Sequence, residues 1–156
     1  SDVYKRQNVY SDNAGKDGWE KITLASTIGG MVINTAGVTL AHGMEHPASG
    51  LRDIVHGKGL AALTPAIIEA SYTGNESKFA DIAKLFGGKE AKDLALKIRE
   101  LLKSINLNCT LSDLGIEEKD IPWMAENCMK VSAASVANNP VVFTQEQIAD
   151  IYKKAL

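Results

Sequence analysis

Three side chains able to ligate a metal or move a proton near neutral pH stand together in this 156-residue sequence. His42, His46 and His56 all fall within TLAHGMEHPASGLRDIVHGKG, residues 39–59, and the sequence holds no other histidine. Neutral imidazole is the commonest protein ligand for divalent metals and a ready acid–base group at physiological pH. His42 and His46 are four residues apart. On a helix that spacing puts both on one face, with Cβ atoms about 5–6 Å apart. It suits two ligands of one ion, or one ligand beside one proton-transfer group. His56 follows ten residues later, past Pro47, Ser49 and Gly50, and a turn of that composition can return it to the first two.

The same residues carry a second reading. HGMEH matches the H-x-x-E-H pattern of inverzincin metallopeptidases, with Glu45 as general base and His42 and His46 on zinc. Such an enzyme also needs a downstream acidic ligand, for which Glu117 or Glu118 can be nominated. The sequence offers no strand to align a peptide, so this reading ranks below the one developed next. Outside any site, Glu45 reads as a helix-surface acid, and Lys58 and Gly59 as solvated residues after the third histidine.

The elements that must hold these residues are helical. Ile22, Ala25, Ile28, Val32 and Ala36 recur in steps of three and four, within a segment apolar on nearly all sides, which predicts a buried helix. The pattern breaks near Gly37 and resumes through His46, and Pro47 should end or kink it. HGKGLAALTPAIIEASY reads as a further apolar helix carrying Pro65. NESKFADIAKLFGG is amphipathic, with Phe79, Ile82, Ala83 and Phe86 inward and Gly87-Gly88 as its stop. In KEAKDLALKIRELLKSIN, Leu94, Ile98, Leu101 and Leu102 share one face. Pro122 suits the first turn of a helix, and Thr144 with Gln147 has capping-box spacing. No alternating segment is long enough for a strand. The fold class is all-α, about six to eight helices, without internal repeats.

The totals narrow the function classes. A chain of this length can bury about 70% of its unfolded surface and needs no staples. The net charge of −2 and an aromatic share of 6% give no pull toward nucleic acid and no platform for stacking bases. No apolar run approaches the span of a membrane, and no signal peptide is evident. Cys109 and Cys128 form no C-x-x-C pair, which fits two free thiols in a reducing, cytoplasmic setting.

NTAGVTLAHGMEHPASGLRDIVHGKGLAALTPAIIE resembles the iron-containing alcohol dehydrogenase family. That family's helical C-terminal domain has a small-residue helix ending in His-x-x-x-His-Pro, with His-Gly ten residues on. His42, His46-Pro47 and His56-Gly57 match it without insertion. The family's "NPR" and short final helix are similar to NNPVVFTQEQIADIYKKAL, with Val141 in place of the arginine. The resemblance covers nearly everything from Lys21 onward. It implies a dehydroquinate synthase-like helical domain in which His42 and His56 ligate a catalytic divalent metal, iron or alternatively zinc. His46 lies beside the substrate and is the candidate for proton transfer. The implied reaction interconverts alcohols with aldehydes or ketones, with NAD or NADP as hydride carrier and a small alcohol or aldehyde as partner.

The family's other two ligands form an upstream Asp-x-x-x-His pair. No histidine precedes His42, and no glycine-rich strand–turn–helix nucleotide site is present. The expectation is therefore half a metal site in residues 8–156, an absent N-terminal cofactor domain, and a chain inactive alone. SDVYKRQ, residues 1–7, reads as adapter-derived sequence. An apolar face left uncovered around residues 22–38 predicts a homo-oligomer. The alternative is a helical interaction domain without catalysis.

Overall fold

The computed structural model describes residues 15–156 of the chain, so the expectation for residues 1–7 lies outside the described residues. Among the described residues there are eight α-helices, three 3-10 turns and no strand. The chain divides into two compact units, one ending at Gly37 and one spanning Val38–Leu156.

The first unit contributes helix α1, Gly15–Ala36. Gly37 ends it at φ +73°, its N–H returned to the Ile33 carbonyl at 2.9 Å. This is the break that the sequence places near Gly37. The expected burial of this helix is not found: Trp19, Leu24, Ile28, Met31, Val32 and Ile33 are all exposed by about half or more. Among the described residues its unit contains this one helix, and an apolar stripe needs a second layer to bury against. No single helix among the described residues is long and apolar enough to cross a membrane.

The second unit holds α2 (Leu40–Arg52), α3 (His56–Ser71), α4 (Glu76–Leu85), α5 (Asp93–Ser104), α6 (Ile121–Val131), α7 (Ala133–Ala137) and α8 (Gln145–Ala155). Its core draws Leu40, Met44 and Ala48 from α2, spaced one turn apart, and Leu63, Ala66 and Ile67 from α3. Met124 and Cys128 of α6 and Ile148, Ile151 and Tyr152 of α8 close over them. The fully buried Tyr152 hydroxyl donates to the Met44 carbonyl at 2.5 Å, fastening α8 to α2. Burial leads in pushing that phenol far above its ordinary pKa, so it stays a neutral donor.

Local signals set the helix ends. Thr144 and Gln147 exchange the reciprocal bonds of a capping box at α8. Helix α4 stops where the Gly87 and Gly88 N–H groups return to the Lys84 and Ala83 carbonyls. Pro122 sits in the first turn of α6. On α5, Leu94 is buried and Ile98 and Leu102 half-buried, but Leu101 is 38% exposed, off the inward face.

Pro47 does not end its helix, which runs on to Arg52. Its buried ring removes one backbone donor, and the turn beyond it is held from outside. The Asp53 N–H bonds the Ser49 carbonyl at 2.8 Å. Arg52 donates to the Gly115 carbonyl at 2.9 Å and to Asp120 at 2.7 Å. These contacts anchor the C-terminal turn of the helix that carries two of the histidines.

Candidate metal centre

His42 lies in the first turn of α2 and His46 one turn later. Between α2 and α3 only residues 53–55 intervene. Asp53 takes the left-handed conformation, φ +51°, which reverses the chain and starts α3 at His56. The three imidazoles therefore converge. Ring centroids are 5.2 Å apart for His42–His56, 5.9 Å for His46–His56 and 6.1 Å for His42–His46. His42 is half-buried, whereas His46 and His56 are open to solvent. Burial, followed by the neighbouring His56 and His46, lowers the pKa of His42, against an opposing pull from Glu45. A neutral imidazole is the form that binds metal.

Beneath the rings lies a carboxylate. Glu45 is completely buried, contrary to its reading as a surface acid. It accepts from Ser49 one turn on and meets His56 Nδ1 across the helix pair. Gly59 is buried too, rather than solvated; Lys58 is exposed. A Cβ at Gly59 would stand 2.8 Å from Glu45 Oε1 and 2.9 Å from its Cγ, so α3 approaches this closely only without a side chain there. Sequence reasoning missed Glu45, Ser49 and Gly59 as one group. The Glu45–Ser49 spacing, one helical turn, was its available signal.

The donor set fits a borderline divalent ion. Imidazoles suit iron, zinc and their neighbours, and the carboxylate of Glu45 backs them with both its oxygens engaged. One atom each from Glu45, His46 and His56 lie within 4.8 Å of one another. The His42–His56 pair is the closest of the three ring pairs. Neither Glu117 nor Glu118 joins the cluster among the described residues; Glu117 pairs with Lys119 at 2.8 Å and caps the 3-10 turn Glu118–Asp120. With Glu45 sealed from water and both oxygens engaged, the metallopeptidase reading loses its general base.

Comparisons with known proteins agree with the fold. The sequence profile of the Fe-containing alcohol dehydrogenase family, C-terminal part, matches residues 5–156. A 1,3-propanediol dehydrogenase of Klebsiella pneumoniae is 36% identical over 144 residues, covering 87% of this chain and 37% of that protein. A lactaldehyde reductase of Escherichia coli K12 is 30% identical over 150 residues, covering 90% of this chain and 38% of that protein. The crystal structure of an archaeal halo-thermophilic alcohol dehydrogenase from a Red Sea brine pool superposes with a TM-score of 0.87. It is 29% identical and covers 99% of this chain and 41% of that one. The chain thus spans about two fifths of the length of the relatives it matches.

Proposed function

The chain belongs to the iron-containing alcohol dehydrogenase family, and from that premise we propose that it is the helical, metal-binding part of an NAD(P)-dependent enzyme that interconverts alcohols with aldehydes or ketones. Residues 8–156 form that part. The remaining ligands and the nucleotide site belong to the portion of the relatives that this chain does not span. The observation that carries the reading is the convergence of three imidazoles, 5.2 to 6.1 Å between centroids, from two helices joined by a three-residue turn.

His42 and His56 would hold the divalent ion, iron in the first instance and zinc as the alternative. When bound, the ion would supply Lewis-acid polarisation of the substrate oxygen and a nicotinamide cofactor the hydride acceptor. This chain's own contribution is positional and acid–base. His46 stands beside the His42–His56 pair and faces solvent, the place from which an imidazole relays the hydroxyl proton. The turn at residues 53–55 is only three residues long, which limits how far the helices that carry the two ligand histidines can separate. The relatives' names include a propanediol and lactaldehyde, which supports small oxygenated alcohols and aldehydes as the substrate class. Two free thiols support a reducing, cytoplasmic setting, and the exposed apolar side chains of α1 support a homo-oligomer. No nucleic acid or membrane partner is proposed.

The test uses the full-length enzyme. His42→Ala and His56→Ala should each strip the metal, read by elemental analysis, and remove NAD(P)-linked turnover. His46→Ala should keep the metal and lower kcat by about 10²–10⁴-fold. Full metal content and turnover in His42→Ala or His56→Ala would overturn the assignment.

A further inference from the structure

Glu45 is a carboxylate with no exposed surface, placed one residue before a candidate proton carrier and hydrogen-bonded to a candidate ligand. Burying such a group is costly unless its oxygens are occupied. Here both are: Ser49 Oγ meets Oε1 and His56 Nδ1 meets Oε2. The Ser49 hydroxyl also faces the Ile54 carbonyl at 3.0 Å, and it has one proton for two acceptors. With Glu45 ionised, or protonated on Oε1 toward Ser49, Oε2 accepts and the His56 proton sits on Nδ1; a proton on Oε2 donated to Nδ1 is the opposite arrangement, which the measurement below separates.

An imidazole whose Nδ1 is engaged in this way has one nitrogen left for a ligand, Nε2. Resting on the metal reading above, we infer that Glu45 is a positioning residue. It fixes His56 in the Nδ1–H tautomer, so that Nε2 alone is offered to the ion, and Gly59 is the opening through which its side chain reaches that place. The carboxylate also lies against the first turn of α3, where a helix N-terminus favours negative charge. Among the described residues neither His42 nor His46 meets a carboxylate in this way, which makes His56 the constrained member of the three. The arrangement matches the general use of a carboxylate behind a metal-bound histidine, which orients the ring and raises its basicity.

Nitrogen-15 NMR of the imidazoles in this chain, at about pH 8 where ordinary histidines are neutral, reads the tautomer directly. The unaltered chain and Glu45→Gln, which keeps an acceptor, should show His56 protonated at Nδ1. Glu45→Leu, which fills the space without an acceptor, should release the Nε2–H form. Gly59→Ala, which displaces the carboxylate without removing it, should do so in part and keeps the test decisive if Glu45→Leu fails to fold. In the full-length enzyme, which supplies the remaining ligands, Zn(II) alone should then shift His56 Nε2 with the Nδ1 proton retained, and bind about 10–100-fold more weakly to Glu45→Leu. A His56 lacking the Nδ1 proton in the unaltered chain, or keeping it unchanged in Glu45→Leu, overturns the inference. So does zinc that expels the Nδ1 proton, since Glu45 would then be a ligand itself. The expected tautomer pattern with no zinc response in the full-length enzyme supports the positioning of His56 and counts against the metal reading instead.

Discussion

Helices α1 and α2 reverse the usual sorting of side chains. On α1, Met31 is 65% exposed and Trp19 58%, whereas on α2 a glutamate is exposed by 0%. Hydrophobicity alone would have placed them the other way round. What separates them is the supply of partners within each unit. Around α2, four other helices contribute core residues, and the one acidic side chain that points inward meets a hydroxyl and an imidazole. Around α1 the described residues of its unit offer no second helix. Burial follows from what stands opposite a side chain, and residue type only sets the cost of being wrong.

That contrast can be broken or sharpened by substitution. The largest effect should come from Met44→Ala, which opens a cavity at a fully buried position of α2. A loss of about 2–5 kcal/mol is expected in urea unfolding, and a loss under about 1 kcal/mol would deny α2 its place in the core. Next comes alkaline pH. Burial pushes the Cys128 thiol from 9.0 up to about 11, and the phenol of Tyr152 is raised as well. Between about pH 9 and 11 the unfolded chain then gives up protons that the folded one keeps, so stability is complete below pH 9 and falls as pH rises. Cys128→Ala should flatten part of that decline, measured by unfolding midpoints across the range. Tyr152→Phe should cost about 1 kcal/mol at neutral pH, the net value of a buried hydrogen bond, here the one to Met44. Smallest of all, Ile28→Ala and Val32→Ala on α1 should change the unfolding free energy by no more than about 0.5 kcal/mol when the chain is dilute enough to be monomeric. A loss of about 2 kcal/mol at either under that condition would mean that α1 is covered within the monomer.

Much of this was legible in the sequence where the determinant is local. Period-three-and-four spacing located the helices, Thr144 and Gln147 announced their own capping box, and the four-residue step set His42 above His46. The turn expected over Pro47, Ser49 and Gly50 lies inside α2 instead, and the reversal comes later, at residues 53–55. Features fixed by distant residues were not legible. Pro47 looks like a terminator until Arg52 is seen held by Gly115 and Asp120, more than sixty positions on. Glu45 looks like a surface acid until α3 folds back with a glycine at position 59. Leu101 fits the periodic stripe of α5, yet its direction falls at the edge of the packed face. The exposure of α1 was hidden for the opposite reason, because composition reports appetite for a partner and not its presence.

The brevity of the connection between α2 and α3 bears on how this part of the chain tolerates change in length. Residues 53–55 are all that separate Arg52 from His56, and the reversal depends on a left-handed Asp53. Adding or removing one residue there would start α3 about 100° out of phase, carrying the imidazole away from its two companions and the glycine away from Glu45. Loops are ordinarily where insertions accumulate. This one should behave as a fixed-length spacer, so that in a library of single-residue insertions it falls silent while the stretch between α4 and α5 stays permissive.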